Sequence, residues 1–400
     1  MRIMSLSKKG LLLLLVLLFF SASNYLLLAG QSAIEMVEIF FTEDNLQKGY
    51  FTEEVLAQVS VTDIKSIRND YTENLGKFLE AEKTAQHLFK AFFEKGIVEI
   101  QLVVNGEGKI AGLYFLSVSE YDTDLNEIVK EFAALPGKVS LLLMKDDEEL
   151  ISLNPEEKMA VGSTFKLAVL KTLKDEIEMG NAEWSDYIEL EEANKSLPSG
   201  YLQEWPAGSP LTLHTLATLM ISVSDNTATD VLIDYLGRDK IEAVITDESP
   251  FLKTREAIIL KDPENKDILE KYRQADSEEK YEILSELVEK PLPSANIFDR
   301  PRALDIEWYF TAYELKELMN EVEDLDLMGI NPGLARSNNW KRVAYKGGSE
   351  PGVFNLASSL KADDGSNYFI TASWNDEKVL DEDGFVQLYL KLISMIKEDK

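Results

Sequence analysis

Three short polar motifs stand in order from the middle of the chain to its C-terminal part, each in a different local setting. Ser163-Thr164-Phe165-Lys166 opens an apolar helical run, Ser224-Asp225-Asn226 lies between two helical segments, and Lys346-Gly347-Gly348 lies on or beside a strand. One such motif occurs easily by chance, but three in this order and in fitting contexts are hard to produce by accident. The chain must therefore combine a helical block with a sheet.

Ser163 and Lys166 have the spacing of a nucleophile and its base. Three residues apart on a helix, they share one face, so the amine can reach the hydroxyl. A serine hydroxyl needs an adjacent base at neutral pH, and a buried lysine can serve when desolvation and a nearby cation lower its pKa. Helix N-terminal amides near Ser163 offer donors to an oxyanion. Taken alone, the motif is more often a capping serine with a solvated lysine.

Together the motifs resemble the S-x-x-K, S-D-N and K-[T/G]-G series of penicillin-interacting serine enzymes, and the second half of the chain resembles a class A β-lactamase. The second motif matches through Ser-Asp-Asn-Thr-Ala. The resemblance implies that Ser163 is the nucleophile and Lys166 its base. It also implies that Ser224 relays a proton to the leaving group and that Asn226 holds the side-chain amide of the substrate.

The third motif is expected to bind the substrate carboxylate. Lys346 offers a fixed positive charge, and Gly347 and Gly348 let a substrate approach the strand closely. The hydroxyl residue common at the middle of the family motif is Gly347 here, so one hydrogen bond to the carboxylate loses its donor. Ser349 is the candidate to supply that hydroxyl. By position, the backbone N–H groups of Ser163 and Ser349 are expected to form the oxyanion hole.

One departure concerns turnover. Class A enzymes carry a glutamate, in an E-x-x-x-N loop after the S-D-N motif, which activates the water that releases the acyl group. The candidates here are Glu256 and the segment Asp262-Pro263-Glu264-Asn265, whose residues are in the wrong order. An isolated acidic residue in an acidic chain is usually solvated surface. We therefore predict acylation faster than deacylation, weak β-lactamase activity, and better turnover of simple esters than of penicillins.

Composition excludes several classes of function. The 400 residues are 45% hydrophobic, which fits a globular protein of two or three domains. The formal net charge of −30 argues against a nucleic-acid partner, which needs a basic face. The chain has no cysteine and two histidines, His87 and His214, so we expect no disulfide, no zinc or other metal site and no cofactor.

The N-terminus has the pattern of an export signal. Basic residues precede an apolar run at 11–20, and a second apolar patch follows at 25–29. Residues 1–30 are predicted to be a signal peptide, and an uncleaved anchor formed by residues 11–29 is the alternative. We expect an exported protein of the bacterial cell envelope or the extracellular space.

Residues 34–120 are predicted to form a separate small α+β domain. Helical spacing at 34–41 and 61–75 is followed by strand-like runs at 97–104 and 109–115, joined by the hairpin signal Asn105-Gly106-Glu107-Gly108. This portion looks like the steroid-isomerase or nuclear-transport-factor-2-like fold. Its position before a β-lactamase-like domain resembles the two-domain proteins of clavulanic-acid biosynthesis clusters. No catalytic signature accompanies it, so we expect an accessory role.

Residues 125–400 are predicted to form the catalytic domain. The pattern predicts an α/β sandwich of the β-lactamase/transpeptidase type. Its predicted parts are a helix at 126–135, a hairpin at 138–153, a helical block from 163 to about 287, three strands between 343 and 374, and a helix at 383–397. We expect a monomeric serine hydrolase that acts on a small β-lactam or related amide or ester. The alternative is an envelope protein that binds peptidoglycan-like or β-lactam ligands as a sensor, with little or no catalysis.

Overall fold

The computed structural model describes residues 28–43, 46–120, 125–245, 250–335 and 337–398. These residues divide into two compact units. The first contains the described residues up to Leu125 together with those from Lys391 onward, and the second is Asn126–Leu390. The export signal and anchor predicted for the N-terminus lie outside the described residues, except that 28–30 begin the first helix. Within the described ranges, no helix combines the length and apolarity needed to cross a bilayer.

The first unit consists of helices followed by an antiparallel four-stranded sheet in the order β1-β2-β3-β4. Its elements are α1 Leu28–Thr42, α2 Glu53–Gln58, α3 Val61–Leu75, β1 Phe78–Ala85, β2 Leu88–Phe93, β3 Gly96–Val104 and β4 Ile110–Glu120. The predicted helices at 34–41 and 61–75 and the hairpin after Val104 are confirmed. Strands β1 and β2 were not predicted.

The core of the first unit is aromatic. Val37, Phe40 and Phe41 of α1 are buried at i, i+3 and i+4 spacing, which places them on one face of the helix. The Phe41 ring stacks on Phe78 of β1 and meets Phe93 of β2 edge-on. These contacts hold the helix against the sheet.

The second unit contains a five-stranded antiparallel sheet in the order β11-β12-β13-β5-β6 and two small two-stranded sheets. Its strands are β5 Lys138–Lys145, β6 Glu148–Leu153, β7 Met159–Ala160, β8 Tyr187–Glu189, β9 Pro210–Thr212, β10 Tyr309–Phe310, β11 Arg342–Glu350, β12 Val353–Lys361 and β13 Asn367–Asn375. The helices lying wholly or mostly in it are α4 Leu125–Ala133, α5 Lys166–Glu178, α6 Leu213–Ser222, α7 Asn226–Leu236, α8 Arg238–Glu242, α9 Thr254–Lys261, α10 Lys266–Gln274, α11 Ser277–Glu286, α12 Ala312–Val322 and α13 Glu382–Glu398.

Both faces of the large sheet are covered. Successive side chains of a strand point to opposite faces, so neighbouring residues of β12 pack against different helices. Ala357 of β12 packs into the core of the helical block. On the opposite face, Phe354 meets Phe385 of α13 edge-on, and the Tyr389 hydroxyl bonds Ser358. Eight of the nine β12 residues are therefore buried. This is the predicted strand, helical block, strand and helix arrangement.

The helical block sets the positions of the first two motifs. Helix α5 is buried along most of its first two turns, and it packs against α7 and α12. Helix α6 begins at the predicted N-cap Thr212, whose side chain accepts from the Thr215 N–H. Helix α7 begins one residue after Asp225, whose carboxylate caps it through the Ala228 N–H. The second motif is thus the turn between α6 and α7, as predicted.

Candidate active site

A cavity of about 370 Å³ opens beside Ser163 in the second unit. Its walls come from the turn before α5, from the segment around Pro198, from α9, and from the end of β11 with the turn after it. Ser163, Asn226 and Ser349 all line the cavity, so the structure brings all three motifs to its wall or its immediate edge. Such a cleft, with a few convergent polar groups, is the usual form of a small-molecule site.

Ser163 is held by close contact between its turn and β11. It lies in a 3₁₀ turn, Gly162–Phe165, that leads into α5. A Cβ at Gly348 would overlap the Val161 carbonyl oxygen and lie 2.5 Å from the Ser163 nitrogen. Glycine at 348 is therefore required for the strand to approach the nucleophile. Within the described residues the Ser163 hydroxyl makes no hydrogen bond, and the residue lines the cavity.

Lys166 is fully buried directly behind Ser163. Its Nζ lies 2.7 Å from the Ser224 carbonyl oxygen, 2.7 Å from Asn226 Oδ1 and 3.1 Å from Ser224 Oγ. Desolvation by burial, reinforced by the charge of Lys346, holds the pKa of Lys166 well below its usual range. The amine can therefore be neutral, with a lone pair free to take a proton, at a lower pH than an ordinary lysine. Its contacts point to Ser224 rather than to Ser163.

The Ser224 turn is held in an uncommon backbone conformation. Ser224 has φ of 57°, in the left-handed region that non-glycine residues seldom occupy outside functional or strained turns. Ser199 fixes it from two sides, because its hydroxyl donates to the Ser224 carbonyl at 2.7 Å and its carbonyl accepts from the Asn226 N–H. The buried Asp225 carboxylate also accepts the backbone N–H groups of Tyr201 and Leu202. The result is a fixed position for the Ser224 hydroxyl.

Lys346 approaches the same hydroxyl. Its Nζ lies 3.1 Å from Ser224 Oγ and donates to the Gly347 carbonyl. Burial lowers the pKa of Lys346 to about 7. Two lysine amines therefore converge on one serine hydroxyl.

Ser349 contributes its backbone, not its hydroxyl. The hydroxyl donates to Glu382 Oε1 at 2.8 Å, so it is not free to replace the hydroxyl absent at Gly347, as the sequence suggested. Strand β11 is an edge strand, and the turn Pro351-Gly352 closes it against β12. Glu350 and Val353 flank this two-residue turn and form the hydrogen-bonded pair that closes it. Hydrogen-bonded and non-hydrogen-bonded pairs alternate along an antiparallel ladder, so the next pair, Ser349 with Phe354, is not hydrogen-bonded. The Ser349 N–H therefore points away from β12. That is the orientation an oxyanion donor at this position needs.

Asn226 lines the cavity but has both ends of its amide in use. Oδ1 accepts from Lys166, and Nδ2 donates to the Leu197 carbonyl at 2.6 Å. A substrate amide would have to compete with the Leu197 contact. In this structure Asn226 acts first as a support that fixes the Lys166 amine.

The acidic residues suggested as water activators lie elsewhere. Glu256 is buried, pairs with Arg238 at 2.7 Å and accepts from the Lys253 N–H. Asp262 caps the Glu264 N–H, and Glu264 is exposed. None of the three lines the cavity. The residues of α9 that do line it are spaced i, i+3, i+4 and i+7, namely Thr254, Ala257, Ile258 and Lys261.

The carboxylates that do line the cavity are all engaged. Glu350 pairs with the buried Lys261 at 2.5 Å, Glu382 accepts from Ser349, and Asp299 pairs with Arg302 at 2.8 Å. Lys261 also pairs with the buried Glu307. Although burial opposes it, the two glutamates raise the pKa of Lys261 above its usual range. Each of these carboxylates is already engaged by another protein group, so none is free to orient a water molecule.

The sequence analysis missed the supporting residues of the site. Ser199 and the segment around it carry no motif, and only the fold brings them against Ser224. Asp225 belongs to the second motif, and a carboxylate directly before an apolar helix is a capping signal that could have assigned its role. Tyr345 directly precedes Lys346, but nothing in the sequence indicates where its hydroxyl lies.

Comparison with known proteins gives a family match over the part of the chain that holds the first two motifs. Residues 120–284 match the model of the beta-lactamase enzyme family known as Beta-lactamase2. This match and the architecture show a β-lactamase/transpeptidase-like fold, and they support a β-lactamase-like serine hydrolase. Among curated protein sequences, none matches the chain. The match does not reach residues 34–119, so the resemblance of that part to the nuclear-transport-factor-2-like fold stays a prediction.

Among solved structures, similar chains include a β-lactamase from Sphaerobacter thermophilus DSM 20745, at 20% identity over 68% of this chain and 94% of that one, with a TM-score of 0.47. A structure of PBP-A is similar at 16% identity, with the same coverages and TM-score. A class A β-lactamase representative from Bacteroides cellulosilyticus DSM 14838 is similar at 17% identity over 68% and 96%, with a TM-score of 0.45.

Proposed function

We propose that the second unit is a serine hydrolase that acts through an acyl-enzyme. Ser163 attacks a β-lactam, or a related amide or ester, and becomes acylated. The observation that carries the proposal is the convergence of the Lys166 and Lys346 amines on Ser224 Oγ, each at 3.1 Å, beside a nucleophile that faces a cavity. The low pKa of Lys166 agrees with a base role. Nucleophile, base and relay are the groups that acyl transfer needs.

The steps follow from the contacts. The Ser163 oxygen attacks the carbonyl carbon while its proton passes to Lys166, either directly or through Ser224. The backbone N–H groups of Ser163 and Ser349 stabilise the negative oxygen. When the carbon–nitrogen or carbon–oxygen bond breaks, Ser224 gives its proton to the leaving group and takes one from Lys166. Lys346 binds the substrate carboxylate. Water then hydrolyses the acyl-Ser163 ester and restores the free enzyme.

The last step is expected to be slow. Every cavity-lining carboxylate among the described residues is paired or hydrogen-bonded, and the face that α9 turns to the cavity carries no acidic residue. Water that attacks the acyl group therefore lacks a dedicated base. Loss of general-base help typically costs about two to four orders of magnitude in rate. For the same reason, we expect esters that acylate Ser163 easily to be turned over better than penicillins.

Mixing the protein with a chromogenic cephalosporin is expected to give a burst of product equal to the enzyme concentration, followed by a slow steady state. The measurement is a stopped-flow absorbance trace. Acylation releases one equivalent of chromophore before the slow hydrolysis limits turnover. A linear trace with fast turnover would contradict slow deacylation and would direct attention to Glu350, because its carboxylate lines the cavity.

The same trace separates the hydrolase from a sensor. A ligand sensor would acylate once or bind reversibly, whereas a hydrolase continues to release product after the burst. Sustained release that is lost in Ser163→Ala would exclude the sensor. The contacts among Lys166, Ser224 and Lys346 favour acyl transfer over a protein that only binds its ligand reversibly.

Export and the role of the first unit are further proposals. We infer from the basic and apolar N-terminal sequence that the protein acts outside the cytoplasm, in the cell envelope or beyond it. The first unit, with its four-stranded sheet and aromatic core, is proposed to be an accessory domain of the nuclear-transport-factor-2-like type. Small-molecule substrates and a monomeric state complete the proposal.

A further inference from the structure

The space above Gly347 is occupied by the side chain of Tyr345. Both residues lie on the same face of β11, two positions apart. A Cβ at position 347 would overlap the Tyr345 hydroxyl oxygen and lie 3.0 Å from the ring carbon that bears it. Only glycine at position 347 therefore leaves room for the Tyr345 hydroxyl in this position.

A second glycine fixes the ring. Gly333 has φ of 59°, and a Cβ there would overlap the Tyr345 ring. The ring is thus packed between the backbone of the segment before β11 and the strand itself. A tyrosine side chain held in this way has few alternative rotamers, so its hydroxyl has a defined position.

The Tyr345 hydroxyl and the Lys346 amine both lie close to Gly347. The Lys346 Nζ donates to the carbonyl of Gly347, the residue whose Cβ position the tyrosine hydroxyl occupies. The Ser224 hydroxyl is 3.1 Å from that Nζ. The Tyr345 hydroxyl and the Lys346 amine therefore both approach Gly347, next to the Ser224 hydroxyl that is proposed to relay the proton.

The Tyr345 hydroxyl is available to a ligand. It makes no hydrogen bond within the described parts of the chain. It is also not fully buried, because the fully buried side-chain atoms without a partner do not include it. Burial of the ring raises the pKa of Tyr345 to about 12, so the hydroxyl keeps its proton at neutral pH. A protonated phenol is a good hydrogen-bond donor to a carboxylate.

We propose that Tyr345 is the second donor to the substrate carboxylate, acting beside Lys346 and in place of the hydroxyl absent at Gly347. The inference rests on the proposed acylation of Ser163 and names the group by which that site selects an anionic substrate. Ser349, the candidate from the sequence, is excluded from this role in the structure by its bond to Glu382.

The test compares Tyr345→Phe with the wild type on two substrates that differ only in the carboxylate. These are benzylpenicillin and its methyl ester, with p-nitrophenyl acetate as a second neutral substrate. The second-order rate constant for acylation of Ser163 is measured by intact-protein mass spectrometry. We expect Tyr345→Phe to lower it about 10- to 100-fold for benzylpenicillin, since a hydrogen bond to a charged group has about that effect. The neutral substrates are expected to change less than about threefold.

Tyr313→Phe is the matched control, because it removes a tyrosine hydroxyl whose one hydrogen bond within the described residues is to the exposed Glu149, at 2.6 Å. It should leave all three substrates unchanged. Retained reaction of Tyr345→Phe with the neutral substrates shows that the variant is folded. Equal losses on all substrates, or no loss on benzylpenicillin, would overturn the role of Tyr345. Absence of an adduct in the wild type with every substrate would overturn the proposed function itself, and this inference with it.

Discussion

Replacing Lys166 with methionine is expected to lower the rate constant for acylation of Ser163 by about two to four orders of magnitude. Methionine has similar length and suits a fully buried position, but it has no lone pair on nitrogen to take the serine proton. The loss should be similar for anionic and neutral substrates, because proton transfer is common to both. The measurement is single-turnover acylation followed by mass spectrometry.

Lys171→Met is the control for this prediction. Lys171 lies on the same helix, five residues further along, and among the described residues it pairs only with Asp175, at 2.5 Å. It should cost less than about 1 kcal/mol of stability, as partly exposed ion pairs usually do, and should leave the acylation rate unchanged. If Lys166→Met remained folded and acylated at the wild-type rate, the base would have to be another group.

Replacing Lys261 with methionine is expected to destabilise the second unit by about 3–5 kcal/mol. Lys261 is buried between Glu307 and Glu350, and its removal leaves the carboxylate of Glu307 buried without a cation. One oxygen of Glu307 already lacks a hydrogen-bond partner within the described residues. Urea unfolding followed by tryptophan fluorescence measures the loss.

The pH dependence identifies the cause of that loss. Burial, followed by repulsion from Glu350, holds the pKa of Glu307 above its usual range, and removal of Lys261 raises it further. A group whose pKa is raised in the folded state binds protons more readily there than in the unfolded chain. Stability is therefore lost as the pH rises towards the folded-state pKa. The destabilisation in Lys261→Met should thus be larger at pH 8 than at pH 5, and Lys261→Met/Glu307→Gln should remove that difference. A loss independent of pH would point to packing alone.

The sequence was sufficient to single out the candidate catalytic residues, because their spacing is local. Ser163 and Lys166 are one helical turn apart, and each motif sits next to strong signals such as the N-cap Thr212 or the strand after Lys346. For the same reason helix α13 and most strands of the large sheet were predicted close to their observed bounds. Strand β11 runs four residues beyond its predicted end, and helix α12 was not predicted. Strand β1 was missed because its charged and exposed residues obscure any alternation. Strand β2 was missed because it is a short, mostly apolar run, which periodicity alone does not assign to a strand.

What the sequence could not supply is contact between distant segments. Ser199 supports Ser224 across 25 residues, and Glu350 pairs with Lys261 across 89. Neither partner carries a local signal. The missing hydroxyl at Gly347 was visible in the sequence, but its replacement was sought at Ser349. The structure shows that the Ser349 hydroxyl bonds Glu382, whereas that of Tyr345 lies over Gly347.

The central claim is that Ser163 forms a covalent acyl ester, and mass spectrometry after incubation with benzylpenicillin tests it most directly. The account predicts an increase equal to one penicillin, because ring opening adds the whole molecule, carried by the peptide that contains Ser163 and absent in Ser163→Ala. Slow loss of the adduct after the penicillin is removed would agree with slow deacylation. An unmodified wild-type protein, or an adduct that persists in Ser163→Ala, would contradict the claim.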